Sequence, residues 1–70
     1  MSKISANMAG NIWKILVKEG DIVNAGEDIM ILESMKMEIP LTAEQGGSVK
    51  TILKQEGDFV NEGEDLLIFE

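Results

Sequence analysis

The residue types that this 70-residue chain lacks already exclude several kinds of site. It contains no cysteine, no histidine and no arginine. Without cysteine and histidine, it cannot form disulfides, thiol nucleophiles, Ser-His-Asp triads or the usual His/Cys zinc sites. The longest apolar runs, Ile29–Leu32 and Leu66–Phe69, are four residues each and are far too short to span a bilayer.

Positive charge is also scarce. Thirteen acidic residues stand against six lysines, which gives a formal net charge of −7. Because phosphate contacts dominate nucleic-acid affinity, we expect binding neither to nucleic acid nor to an anionic membrane. The first residues, Met1–Ile4, lack the apolar stretch of a signal peptide, so we expect a cytoplasmic protein.

An internal repeat organises almost the whole chain. Shifted by 37 positions, residues 4–33 align with residues 41–70 without a gap, and 14 of the 30 pairs are identical. In the densest stretch, residues 19–28 against 56–65, eight of ten pairs are identical. The repeat predicts a single domain over residues 1–70, built from two similar halves that residues 34–40 connect.

Each half offers about four short β-strands. The spacing of Ile12, Ile15 and Leu16, taken alone, fits an amphipathic helix. Strands are favoured because the apolar runs are short, rich in β-branched residues and bounded by glycines, so the break in alternation indicates a bulge. We therefore predict an all-β fold, a flattened eight-strand antiparallel barrel-sandwich with a pseudo-twofold internal repeat.

The repeat also predicts burial and turn geometry. Gly20 and Gly57 are expected in turns with positive φ. Trp13 and Val17 are expected to be at least half exposed, because lysines occupy their repeat positions. Pairs that stay apolar in both halves are expected to form the core: Ile12/Val49, Ile15/Ile52, Leu16/Leu53, Val23/Val60 and Ile31/Ile68.

Residues 34–40 are the one unduplicated segment, and we predict a tight hairpin there, at the end opposite the chain termini. Lys36 is then at the tip between Met35 and Met37. A lysine in a turn is usually an ordinary surface residue, and flanking methionines can simply be strand residues. Their unduplicated position favours a role in recognition, since methionine surfaces are adaptable.

The stretch from Glu33 to Glu38, Glu-Ser-Met-Lys-Met-Glu, resembles the attachment motif of biotinyl domains, in which a lysine between two methionines carries biotin. The doubled Gly-Asp-x-Val-x-x-Gly pattern, at 20–26 and 57–63, resembles the biotinyl/lipoyl attachment family as well. The resemblance extends from Ile4 to Phe69 and is greatest to the small free-standing bacterial attachment proteins. It implies a barrel-sandwich with the modified lysine on a β-turn.

The same resemblance implies a non-catalytic carrier. A biotin protein ligase would biotinylate Lys36, and the tethered biotin would shuttle carboxyl groups between biotin carboxylase and carboxyltransferase components. The ligase would recognise Met35 and Met37 during attachment. Glu33, Ser34 and Glu38 would contribute more weakly, as the neighbouring residues of the hairpin. Ser34 stands where biotinyl domains commonly have alanine.

Two alternatives remain open at this point. Lys36 could carry lipoate on the same fold, although lipoyl domains usually have aspartate before the lysine and alanine after it. An unmodified acidic module that binds a basic protein is the more distant alternative.

Overall fold

Two four-stranded antiparallel sheets enclose one hydrophobic core in the computed structural model, which describes residues 2–70. The sheets have strand orders β1-β8-β6-β3 and β5-β4-β2-β7. Residues 2–70 contain no helix, and hence none that could cross a membrane. The eight strands are β1 Ser2–Ser5, β2 Gly10–Ile15, β3 Ile22–Val23, β4 Asp28–Ser34, β5 Met37–Thr42, β6 Gly47–Ile52, β7 Phe59–Val60 and β8 Asp65–Phe69. The predicted all-β fold class is confirmed.

The repeat relates one sheet to the other. Adding 37 to the residue numbers places β2 and β3 on β6 and β7 with the same bounds, and places β1 and β4 on β5 and β8 with bounds that differ by two residues at one end. The same shift converts one strand order into the other. Hydrogen bonds follow the same rule. The Gly20 amide donates to the Val49 carbonyl at 2.8 Å, and the Gly57 amide donates to the Ile12 carbonyl at 2.7 Å. Every sheet contains strands from both halves, so neither half forms a sheet without the other.

The acidic residues of the repeat have structural partners. Glu19 Oε2 accepts a hydrogen bond from the Ile52 amide at 3.0 Å, and Glu56 Oε2 accepts one from the Ile15 amide at 2.9 Å. Asp21 and Asp58 accept from the amides three residues before them, each at 2.9 Å. These paired bonds explain why residues 19–28 and 56–65 are so similar.

The core confirms part of the predicted pairing. Ile12/Val49 and Val23/Val60 are buried as expected. Ile15/Ile52 are half-buried and pack against the core, as expected. Ile31/Ile68 are half-buried but do not pack against the core, and Leu16/Leu53 are exposed, so the prediction was wrong for these two pairs. The buried apolar side chains are Ala6, Ile12, Val23, Ile29, Met30, Leu32, Leu41, Ala43, Val49, Val60, Leu66, Leu67 and Phe69.

Bulges explain the difference. The β2–β4 register shifts between Ile12 and Lys14, as the broken alternation predicted, and the strand then ends at Ile15. Leu16 therefore lies just outside the sheet. A second shift, between Asp28 and Met30, buries two consecutive residues of β4, so that Ile31 points away from the core.

The turn glycines behave as predicted. Gly20 has φ 96° and Gly57 has φ 93°. A Cβ built on either would meet no heavy atom within 4 Å. Glycine is required at these positions by the backbone conformation and not by a lack of space.

Candidate functional site

The hairpin between β4 and β5 ends in a two-residue turn formed by Met35 and Lys36. The last strand pair is Ser34 with Met37. Met35 has φ 52° and Lys36 has φ 65°, which are the signs that a type I′ turn requires at both central positions. Asn-Gly is the preferred sequence for such turns, and each side chain held in the left-handed region costs about 1–2 kcal/mol. The turn thus keeps two side chains where the backbone favours glycine.

The tip of this hairpin projects into solvent. Met35 is 91% exposed and Met37 is 63% exposed, and Lys36 between them is exposed too. The last β2 residue paired with β4 is Asn11, opposite Glu33. The pair Ser34–Met37 and the turn therefore extend beyond the part of β4 that pairs with β2. Lys36 lies at the end of this protrusion.

The base of the hairpin is held by a close approach of β2. A Cβ built on Gly10 would lie 2.7 Å from the Glu33 carbonyl oxygen, closer than real Cβ atoms come to a backbone atom. At its repeat position, Gly47, the nearest atom would be 3.6 Å away, an ordinary contact. Gly10 therefore supports the site through its missing side chain. Sequence reasoning missed this role because glycine occupies both repeat positions.

Two carboxylates lie side by side behind the tip. Glu33 and Glu38 are directly opposite each other on β4 and β5, and both are exposed. Among residues 2–70, neither side chain has a hydrogen-bond or ion-pair partner. Like charges directly opposite each other in a sheet are destabilising. The hairpin thus carries an unneutralised acidic pair next to its one lysine.

The perturbed ionisable groups belong to other parts of the fold. The hydrogen bond with Lys54 is the main cause that lowers the pKa of Glu64, and the same bond raises the pKa of Lys54. The hydrogen bond from Ser5 and then that from Lys3 lower the pKa of Asp65, which joins β1 to β8. These pairs act on the framework and do not touch the tip.

The tip is a protrusion and not a cleft. One open groove lies between strands β1 and β5, and none of residues 33–38 lines it. The chain has no histidine or cysteine to act as a base or nucleophile beside Lys36. The Lys36 amine is therefore exposed at a tip that has no cavity of its own.

All six residues singled out by the sequence lie on this one hairpin: Glu33, Ser34, Met35, Lys36, Met37 and Glu38. Ser34 is half-buried at the end of β4, and the other five are exposed. The roles assigned to them by resemblance stay predictions.

Comparison with known proteins gives a consistent result. The model of the biotin/lipoyl family, described as "Biotin-requiring enzyme", matches residues 1–69. The chain is 58% identical over 41 residues, 59% of its length, to the biotin/lipoyl attachment protein of Bacillus subtilis. It is 58% identical over 36 residues, 51% of its length, to the methylmalonyl-CoA carboxyltransferase 1.3S subunit of Propionibacterium freudenreichii subsp. shermanii.

A solved structure extends the likeness to the fold. The urea carboxylase of Kluyveromyces lactis superposes with a TM-score of 0.91 over 99% of this chain, at 32% identity. The matches account for 56% of the Bacillus protein, 29% of the Propionibacterium subunit and 6% of the urea carboxylase. The chain therefore matches about half of the first relative and a small part of the larger proteins.

Proposed function

Because this chain belongs to the biotin/lipoyl attachment family, whose model spans residues 1–69, we propose that it carries biotin on Nζ of Lys36. One observation carries the choice of residue. Lys36 and Met35 are the non-glycine residues with positive φ within residues 2–70, and they form the turn of a projecting hairpin. Backbone strain of this kind clusters at functional sites.

Attachment requires a second protein. Lys36 Nζ attacks the carboxyl carbon of biotin, which a biotin protein ligase has activated as an acyl-adenylate. An amide bond forms as the bond between the acyl carbon and the phosphate oxygen of the mixed anhydride breaks, and AMP leaves with the electrons of that bond. The two protons that the lysine ammonium group loses pass to the ligase or to solvent. Because this step takes place in the active site of the ligase, the chain needs no cavity of its own. It needs an amine that projects far enough to enter that site.

After attachment the chain acts as a non-catalytic carrier. Bound biotin supplies a ureido nitrogen on which a carboxyl group travels between active sites. The projecting hairpin holds the lysine away from the sheets, and such a tether keeps the group at an effective concentration in the ~mM range. We propose biotin carboxylase and carboxyltransferase components as partners, since relatives named for a carboxyltransferase and a urea carboxylase share the domain.

Biotin is favoured over lipoate by the residues at the tip. Methionines at 35 and 37 stand where lipoyl domains usually have aspartate and alanine. Both side chains are exposed enough to contact a ligase directly.

The test is labelling by a biotin protein ligase followed by intact-mass measurement. Wild type is expected to gain one biotinyl group, and Lys36→Arg none, because a guanidinium stays protonated and is no amine nucleophile. Lys14→Arg is the matched control and is expected to label like wild type. Labelling that persists in Lys36→Arg, or a lipoyl increment on the protein from its host, would overturn the proposal.

A further inference from the structure

The outer surface of the β5-β4-β2-β7 sheet continues directly from the hairpin. Cross-strand neighbours lie on the same side of a sheet, so the pairing register defines two rows on this surface. We call it the hairpin face. Its rows are Phe59, Asn11, Glu33 and Glu38, and then Trp13 with Lys14, Ile31 and Pro40.

The other sheet provides an internal reference for this surface. Its equivalent positions form the repeat face, which consists of Ile22, Ser48 and Glu70, and then Lys50 with Thr51, Ile68 and Lys3. Both faces are built on the same order of strands. The hairpin face holds the exposed aromatic residues of the chain, Trp13 and Phe59, at positions where the repeat face has Lys50 and Ile22.

Folding does not explain these aromatic residues. Lysine and isoleucine occupy the same sites in the other half, whereas Trp13 is 45% exposed and Phe59 is 59% exposed. Lys14 Nζ lies 5.7 Å from the Trp13 ring centroid, a cation–π contact that orients the ring at the surface. Aromatic side chains of this kind are enriched among the residues that carry the energy of protein interfaces.

The two faces also differ in charge. The hairpin face carries Glu33 and Glu38 side by side, a repulsion that a cationic partner would relieve. The hairpin face also carries Lys14, whereas the repeat face carries two lysines, Lys3 and Lys50, and one glutamate, Glu70. Lys3 is paired with Asp65. The adjacent carboxylate pair is therefore a feature of the hairpin face that the repeat face lacks, and a basic protein surface is more complementary to the hairpin face.

We infer that the hairpin face is the surface through which the carrier docks on a biotin carboxylase component, with Phe59 and Trp13 in apolar contacts and Glu33 and Glu38 opposite basic side chains. This inference rests on the proposed function. Phe59 is two strand spacings from β4, about 10 Å. A ligase acts at Nζ of Lys36 and needs contacts with the turn. A carboxylase acts on the biotin ring at the end of the lysine side chain, so it has to contact the sheet from which the hairpin projects.

The first test uses the unmodified chain, so it does not depend on attachment. Trp13 is the single tryptophan, and its indole N–H therefore gives one assignable signal in 15N-labelled protein. Titration with an unlabelled biotin carboxylase that is active on free biotin is expected to shift this signal and the amides of Asn11 and Phe59. The amides of Ile22 and Ser48 are expected to stay in place. Shifts confined to residues 34–37, or located on the repeat face, would overturn the inference.

The second test exchanges residues between the faces. Phe59→Ile, alone or with Trp13→Lys, introduces side chains that the fold already accepts at the repeat positions. With fully biotinylated protein, the double variant is expected to raise KM for the tethered biotin about tenfold with kcat unchanged, because docking stabilises ground and transition states equally. Phe59→Ile alone, which leaves the charge unaltered, is expected to raise KM about threefold.

The controls separate this inference from the proposed function. Ile22→Ala on the repeat face is expected to leave KM unchanged, and the rate with free biotin serves as the reference for the enzyme. Unchanged KM in the double variant, or an equal rise in Ile22→Ala, would overturn the docking face while leaving biotinylation intact. A slower ligase reaction with unchanged carboxylation would assign the face to the ligase instead. Loss of labelling in wild type would contradict the proposed function itself.

Discussion

The turns of the repeat and the turn of the hairpin solve the same backbone problem with different residues. Gly20, Gly26, Gly57 and Gly63 all have φ between 88° and 96°, and a Cβ built on any of them would meet nothing within 4 Å. The hairpin also needs positive φ, yet it uses Met35 and Lys36. Where only the fold is served, the chain uses glycine. Where side chains have to be presented, it retains them at a cost in backbone energy.

The largest expected effect on stability comes from breaking the glycine turns. Gly20→Val is expected to lower the free energy of unfolding by about 1–3 kcal/mol, because a β-branched residue is strained at φ 96°. Gly57→Val is expected to match it, since the two turns are equivalent. Urea denaturation measures both. A Gly20→Val or Gly57→Val variant as stable as wild type would contradict the assigned turn geometry.

A second glycine pair, Gly10 and Gly47, tests the steric effect of a Cβ atom apart from the strain of a positive φ. Gly10→Ala is expected to cost about 1–3 kcal/mol, because its Cβ would be 2.7 Å from the Glu33 carbonyl oxygen and β2 and β4 would have to move apart. Gly47→Ala is the matched control and is expected to change stability by less than about 0.5 kcal/mol. Equal effects in the two variants would mean that the hairpin base is not uniquely tight.

The hairpin turn can also be given the residues that its backbone conformation prefers. Replacing Met35 by Asn and Lys36 by Gly gives the turn its preferred sequence, and we expect a gain of about 1–2 kcal/mol with loss of labelling. Lys36→Arg, which keeps a side chain at positive φ, is the control for the stability gain. A double variant less stable than wild type would show that Met35 and Lys36 are not strained in the turn.

The methionines are expected to matter for recognition and little for stability. Met35→Ala and Met37→Ala are each expected to cost well under 1 kcal/mol, since both side chains are mostly exposed. Met35→Asp combined with Met37→Ala brings the tip closer to a lipoyl motif. This variant is expected to stay folded, to accept biotin more slowly and to become a better substrate for a lipoyl ligase. Parallel labelling assays and a thermal melt decide. Unchanged biotinylation with a large drop in Tm would instead make the methionines core residues.

The smallest expected effect concerns acid stability. Because the hydrogen bonds from Ser5 and Lys3 lower the pKa of Asp65, its stabilising contribution is present above the ordinary carboxyl pKa of about 3.9. That contribution is lost as the pH falls through the lower pKa of the folded state. Asp65→Asn is therefore expected to be less stable than wild type at pH 7, with a gap that narrows on acidification.

Asp28→Asn is the control for this pH dependence. Asp28 is the repeat counterpart of Asp65, and within residues 2–70 its side chain has no hydrogen-bond or ion-pair partner. Unfolding at pH 7 and pH 3 compares the two variants. If Asp65→Asn and Asp28→Asn differed from wild type by the same free energy of unfolding at both pH values, the hydrogen bonds of Asp65 with Ser5 and Lys3 would not be stabilising.

The repeat made much of the fold predictable from the sequence. Identical polar residues at 19–28 and 56–65 marked the turns, and glycine chemistry predicted the sign of φ at Gly20. Leu16 and Leu53 were misplaced because the bulges shift the alternation, and apolar spacing alone does not show where a strand stops. Gly10 was missed for a different reason. Its role depends on a contact with Glu33 across the sheet, and nothing in the local sequence separates it from Gly47.

The candidate site was predictable for the opposite reason, since it is the part that the repeat leaves out. Residues 34–37 have no counterpart in the chain, and the structure places them at a projecting turn. The difference between the hairpin face and the repeat face was less accessible. It depends on the cross-strand register that places Phe59, Asn11 and Glu33 in one row, and the sequence does not state that register.

Peptide mapping of the ligase-treated wild-type protein tests most directly the claim that the strained turn exists to present one lysine. The chain has five other lysines, at positions 3, 14, 18, 50 and 54, which serve as internal controls in the same sample. The account predicts that biotin is found on Lys36 and on none of the other five. Biotin on Lys14 or Lys50, or an even distribution over the exposed lysines, would contradict it.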